Sequence, residues 1–254
     1  DRSSTGGCSS SSDNTTAAAD VNITIIFNAL ADNTYNCTII VTDNASNPGT
    51  LSVNTFTVDT TAPTLSEETP IATITDDNTP NYTFSVNITG TGQSNEAGTI
   101  TYGGPCSSSD NSSSVDNKTI RFNTLGDNDT YSNCTIRVTD SAGNQSNLLE
   151  VNSFTIDAIA PSLTQVNAVL TPTSDNTSSY TFHSNEAGDI IYGGTTGCDS
   201  DNHTRAVAGD NTIIFNEMAD GTYNCTITVT DNASNTSSPP LTVTQFIIDT
   251  IDPI

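Results

Sequence analysis

Three features of this sequence predict an all-β chain built of β-sandwiches in tandem. The stretch DNDTYSNCTIRVTDSAGNQSNLLEVNSFTID, from Asp127 to Asp157, occurs three times in variant form, with copies beginning at Asp32, Asp127 and Asp220. Their spacing of about 95 residues is that of a small domain, too long for a propeller blade or a solenoid turn. Apolar and polar residues alternate within each copy as they do in half-buried strands, and no stretch carries the helical apolar period of about 3.6 residues. The six cysteines fall two per repeat of about 95 residues.

Each segment of the repeated unit has its own task. Cys134 to Thr139 alternates as a strand, and Asp140-Ser-Ala-Gly-Asn144 is a hairpin turn. In that turn Gly143 is free to take positive φ and Asp140 can bond the turn's own amides. Leu148 to Ile156 returns as one second strand. Tyr35 and Tyr223 stand two residues before Cys37 and Cys225, the spacing of the tyrosine corner in immunoglobulin-like sandwiches. The middle copy has one residue more between Tyr131 and Cys134, so its corner must bulge or its disulfide must shift. The expected fold is therefore a tandem of immunoglobulin-like β-sandwich domains with one disulfide each. The pairs are Cys8 with Cys37, Cys106 with Cys134, and Cys198 with Cys225, enclosing loops of closely matched length. Such pairing implies an oxidising compartment, and each bridge contributes roughly 3 to 4 kcal/mol in the chain-entropy view. A zinc site is the rival, but no C-x-x-C spacing supports it.

In chain order, residues 1–59 read as an incomplete repeat lacking its first strands, with Val21 to Phe27 as its E-type strand. Residues 60–157 and 158–249 read as complete repeats, and 250–254 as the start of the next repeat or a linker. In the first complete repeat Thr73 to Pro80 is expected as the A-B turn, and Cys106 to Asn117 as a polar loop. The segment 86–93 is an extension that the following repeat lacks. The incomplete repeat would leave strand edges and an apolar face open, to be covered by sequence outside this stretch or by a strand from another copy of the chain.

Composition excludes several functions. A net charge of −24 with only five basic residues rules out a nucleic-acid surface and makes an anionic membrane an improbable partner. Apolar residues make up 33% and charged ones only 13%, so the polarity comes from Ser, Thr, Asn and Gly. Every Tyr and Phe falls in a recurring strand slot and Trp is absent, which leaves no aromatic for a ligand platform. No nucleophile, zinc-protease or phosphate-loop motif occurs, and His183 and His203 read as solvated. The chain is expected not to be an enzyme.

Acidic joints are the candidate site. An end-to-end arrangement of sandwiches would gather a linker aspartate, the Asn-Glu of the B-C turn and the Asp of the F-G turn, with acidic residues of the preceding domain below. At the first joint these are Asp59, Asn95, Glu96 and Asp140, with Asp32 below. At the second they are Asp157, Asn185, Glu186 and Asp231, with Asp76, Asp77, Asp127 and Asp129 below. Hard oxygen donors of this kind suit Ca²⁺, and ordinary solvated turn residues are the alternative. Candidate N-glycan acceptors are Asn36, Asn44, Asn81, Asn87, Asn111, Asn117, Asn133, Asn144, Asn176, Asn202, Asn224 and Asn232, each opening an N-x-[S/T] sequon.

The run Ala219-Asp-Gly-Thr-Tyr223, the segment Asp140 to Ser146 and the Asp-x-x-Ala-Pro joints at 59–63 and 157–161 resemble bacterial immunoglobulin-like (Big) repeats. Those are the tandem repeats of large extracellular adhesins and biofilm surface proteins. The resemblance implies a non-catalytic extracellular spacer, often stiffened by calcium; the cysteine pair in each copy departs from that pattern. The expected function is the shaft of a surface adhesin or the unit of an extracellular filament. Its partners would be adjacent repeats or other copies of itself. The alternative is a cell-surface recognition module whose variable loops bind carbohydrate or a host protein.

Overall fold

A computed structural model describes residues 2–5, 7–10, 21–87, 98–114 and 116–252. The described residues form strands and turns and no helix. The first stretch holds β1 (Arg2–Thr5), β2 (Asn33–Tyr35), β3 (Thr38–Thr42), β4 (Pro48–Ser52) and β5 (Phe56–Val58). The second holds β6 (Thr64–Thr69), β7 (Ile74–Thr75), β8 (Asn81–Asn87), β9 (Gly98–Gly103), β10 (Ser112–Ser113), β11 (Asp116–Arg121), β12 (Thr130–Tyr131), β13 (Thr135–Thr139), β14 (Leu149–Glu150) and β15 (Phe154–Ile156). The third holds β16 (Leu163–Asn167), β17 (Ser179–Ser184), β18 (Gly188–Gly194), β19 (Arg205–Ala206), β20 (Gly209–Ile214), β21 (Gly221–Tyr223), β22 (Cys225–Thr230), β23 (Leu241–Thr242) and β24 (Phe246–Ile248). By contacts these group into two compact units. One comprises Asp1–Pro70, Asn81–Asn123 and Asn133–Asn152; the other comprises Ile71–Pro80, Thr124–Ser132 and Ser153–Ile254.

The second unit contains the whole third repeat. Its sheets β16-β17-β20 and β19-β18-β22-β23, with the pair β21-β24, enclose a core that includes Tyr180, Phe182, Phe215, Ile227 and Phe246. Strand β22 shows why the alternation was informative: Cys225, Ile227 and Val229 are buried while Thr226, Thr228 and Thr230 face outward. The Cys198–Cys225 disulfide closes this sandwich. Tyr223 donates its hydroxyl to Ala219 O at 2.8 Å and stacks on Phe246, forming the expected corner.

In the first unit, sheets β11-β8-β6 and β10-β9-β13-β14 bury Tyr82, Phe84, Ile100, Ile120, Phe122, Ile136 and Val138. Cys106–Cys134 and Cys8–Cys37 form as expected. The chain is thus all-β, a tandem of immunoglobulin-like sandwiches with a disulfide in each. The middle corner resolves its extra residue without moving the bridge. Tyr131 Oη accepts from Gly126 N at 2.7 Å, five residues back, where Tyr35 and Tyr223 reach back four to Ala31 and Ala219.

Three expectations need correction. Leu148 to Ile156 is not one strand: β14 pairs with β13, whereas β15 pairs with β12 and, in parallel, with β7. A strand that changes sheet must break its ladder, and Asn152-Ser153 absorb that change. The segments expected as a turn (73–80) and a polar loop (106–117) accordingly contain the short strands β7 and β10, and β11 begins within the latter. Val21 to Phe27 is not a strand; Phe27 alone bridges Ser10. Its counterparts β11 and β20 gain their ladders from β8 and β17, and the described residues of the first repeat hold no such partner. Ile26 is therefore 74% exposed, and Phe27, Tyr35 and Phe56 are only half-buried where Phe122, Phe215 and Phe246 are buried.

Candidate functional site

Each joint is assembled from three parts with separate local causes. The F-G turn supplies an aspartate that binds its own turn: Asp231 Oδ1 accepts from Ala233 N and Asn235 N at 2.8 and 2.9 Å, and Asp140 Oδ1 accepts from Asn144 N at 2.8 Å. The turn's last residue reaches the linker. Asn235 Nδ2 donates to Asp157 O at 2.7 Å, and Asn144 Nδ2 donates to Asp59 O at 3.1 Å. The E-F corner supplies a second aspartate that binds the linker's amides. Asp32 Oδ1 accepts from Thr60 N at 3.0 Å, Asp127 Oδ1 from Ala158 N at 2.5 Å and Asp220 Oδ1 from Thr250 N at 3.0 Å.

The first and second joints then diverge. At the first, Thr60 Oγ1 and Thr61 Oγ1 donate to Asp32 at 2.8 and 2.6 Å, and Thr61 N donates to Asp59 Oδ1 at 3.0 Å. The hydroxyls of Thr61 and Thr60 hold Asp32 below the ordinary carboxylate range. At the second, Ala158 and Ile159 replace both threonines and supply no hydroxyl. Carboxylate oxygens of Asp157, Glu186 and Asp231 all lie within 4.8 Å of one another. Asp157 Oδ1 is buried without a hydrogen-bond partner among the described residues, and Asp231 is 8% exposed. Burial first, then the charges of Asp231 and Asp127, push Asp157 up, with the Ile159 amide pulling weakly the other way. Glu186 is likewise raised, chiefly by burial, against the amide of Asn185 and with the charges of Asp157, Asp231 and Asp127 adding to the rise.

The second joint thus brings Asp157, Glu186 and Asp231 together. Asn185 instead ties its turn to the start of the repeat: its Oδ1 accepts from Ser162 N at 2.6 Å and its Nδ2 donates to Glu186 Oε1 at 2.9 Å. Asp77 caps Thr79 N at 2.9 Å, and neither it nor Asp76 is in the carboxylate cluster. Asn95 and Glu96 lie outside the described residues. Sequence reasoning overlooked the two joint asparagines in this role, although Asn144 and Asn235 hold the same place in their copies. An orphaned, buried carboxylate oxygen among all-oxygen donors fits a hard divalent cation such as Ca²⁺. Of the candidate glycan acceptors, Asn144 and Asn176 are half-buried and the other ten exposed, and Asn144 has its amide nitrogen engaged in the joint.

Tyr82 Oη donates to Glu67 at 3.0 Å, and burial raises the phenol further than Glu67 does. Burial takes Tyr180 to about 12. His183 pairs with Asp210 at 2.9 Å on the surface, and His203 Nδ1 meets Ser200 Oγ at 3.2 Å.

No protein-family pattern and no curated protein sequence matches the chain. Among solved structures it is similar to the fibronectin(III)-like modules of CbhA from Clostridium thermocellum, at 11% identity and a TM-score of 0.37, covering 72% of this chain and 93% of that one. It is also similar to the FN1-FN3 domains of chicken CNTN1, at 11% identity and a TM-score of 0.35, covering 84% and 77%. A protocadherin gammaB7 EC3-6 structure gives 15% identity and a TM-score of 0.35, covering 85% and 58%. The fold assignment rests on the ladders, corners and disulfides described above.

Proposed function

We propose that this chain is a non-catalytic extracellular structural protein, the shaft of a surface adhesin or the unit of an extracellular filament. Its repeats would be 60–157 and 158–249, preceded by the incomplete 1–59. The observation that carries this reading is the recurrence of one joint: a corner aspartate grips the linker amide at Thr60, Ala158 and Thr250, and a turn asparagine grips the linker carbonyl at Asp59 and Asp157. A spacer needs its domains held in series, and such a grip supplies that. The three disulfides suit a secreted or surface location. At the second joint Asp157, Glu186 and Asp231 would hold Ca²⁺, whose charge would offset their mutual repulsion and stiffen the linker. A strand from another copy of the chain would complete the first repeat over Phe27, Tyr35 and Phe56. Electron microscopy of the native material tests the proposal: extended rods or regular filaments are expected, and isolated compact particles would refute it.

A further inference from the structure

The outer edge of β16 differs from its counterpart in what occupies it. Asn185 N donates to Ser162 O at 3.2 Å, and an antiparallel ladder alternates bonded and non-bonded pairs. The next residue, Leu163, lies opposite Ser184, so its amide and carbonyl turn away from β17. Leu65 of β6, opposite Val86, stands in the same register, and there the outward groups are occupied. Asn147 Oδ1 accepts from Leu65 N at 2.8 Å while Asn147 Nδ2 donates to Leu65 O at 3.1 Å, a two-point clasp by one carboxamide.

The third repeat has no such clasp. Ser237 matches Ser146, since each hydroxyl accepts the amide of its neighbouring strand, from Val229 N and Val138 N, at 3.0 Å. Leu241 matches Leu149 through its pairing with Ile227, as Leu149 pairs with Ile136. Between these landmarks Asn147-Leu148 is replaced by Ser238-Pro239-Pro240, one residue longer and without a carboxamide. The longer path leaves a groove of about 440 Å³ beside Leu163, walled by Pro161, Ser237, Pro239, Pro240 and Leu241.

We propose that this groove is a binding site for a primary carboxamide, presented as an asparagine side chain by another polypeptide segment. The carboxamide oxygen would accept from Leu163 N, its nitrogen would donate to Leu163 O, and its stem would lie between the proline rings. A carboxylate offers Leu163 O no donor. A trans secondary amide holds its N–H and C=O on opposite sides and cannot span both groups. Every residue lining the groove is uncharged in a chain of net charge −24, which suits a neutral ligand and disfavours an acidic one.

The test is a nuclear magnetic resonance titration of the ¹⁵N-labelled full chain at pH 7 with N-acetyl-asparagine methylamide, against its aspartate counterpart. A saturable shift of the Leu163 amide is expected, with the asparagine probe binding at least about tenfold more tightly than the aspartate one. Replacing Ser238-Pro239-Pro240 by Asn-Leu should abolish the response, because the chain would then clasp itself. An unmoved Leu163 amide, or equal shifts with both probes, would overturn the proposal. That contrast is read on the unaltered protein and stands whether or not the replacement folds.

Discussion

The first and second joints share one frame and differ in how their carboxylates are satisfied. At the first, threonine hydroxyls and amides bond Asp32 and Asp59, and Asp32 is held in its charged form. At the second, Ala158 and Ile159 offer Asp127 no hydroxyl, Asp157 Oδ1 is buried with no hydrogen-bond partner among the described residues, and Asp157 and Glu186 are pushed towards their neutral forms. The two linker side-chain changes remove the hydroxyl donors that serve the corner aspartate, Asp32 at the first joint and Asp127 at the second, while Asp157, Glu186 and Asp231 converge at the second. Local hydrogen-bond donors, and not only the number of acidic residues, set how far each carboxylate is held in its charged form.

The largest effect should be common to both joints. Asn144→Ala and Asn235→Ala each remove bonds to a linker carbonyl and to a buried aspartate, and each should cost about 1–3 kcal/mol. Unequal losses in thermal melting would show that the frames are not equivalent. Next in size, Asp157→Asn in calcium-free buffer should stabilise the protein by up to about 1 kcal/mol, by removing a raised, repelled carboxylate. Asp59→Asn should instead cost a few tenths of a kcal/mol, since it weakens a satisfied bond.

The two joints should also respond to pH with opposite sign. Asp157 and Glu186 bind protons more readily folded than unfolded, so their contribution to stability falls as pH rises from about 4 through their raised folded values. Asp32 is depressed, so its contribution is present above the unfolded value and is lost as pH falls below about 4. Calcium-free melting at pH 5 and pH 7, for the wild type and for the Asp157→Asn/Glu186→Gln pair, should show the pair abolishing part of the gain at pH 5. The smallest effect belongs to Ala158→Thr. It should give Asp127 the hydroxyl that Thr60 gives Asp32 and stabilise the calcium-free protein by a few tenths of a kcal/mol, read by the same melts.

The fold was legible because its determinants are local and repeat. Alternation in Cys225 to Thr230, the Tyr-to-Cys spacing of the corners and the paired cysteines each carry their meaning within a few residues, and copies confirm one another. The breaks at Asn152-Ser153 and the missing ladder of Val21 to Phe27 were not legible, because they depend on which distant strand arrives as partner. At the site, grouping Asp157, Glu186 and Asp231 followed from topology alone. The diversion of Asp77 to Thr79 N in its own turn and of Asn185 to Ser162 N at the start of the repeat did not, since a short polar side chain takes whichever backbone amide the fold brings within reach.

The most direct test of the contrast between the joints is a calorimetric Ca²⁺ titration of the full chain beside Asp157→Asn and Asp59→Asn. Saturable binding to the wild type and to Asp59→Asn, lost in Asp157→Asn, is the result expected. Binding untouched by Asp157→Asn, or abolished by Asp59→Asn, would contradict the account.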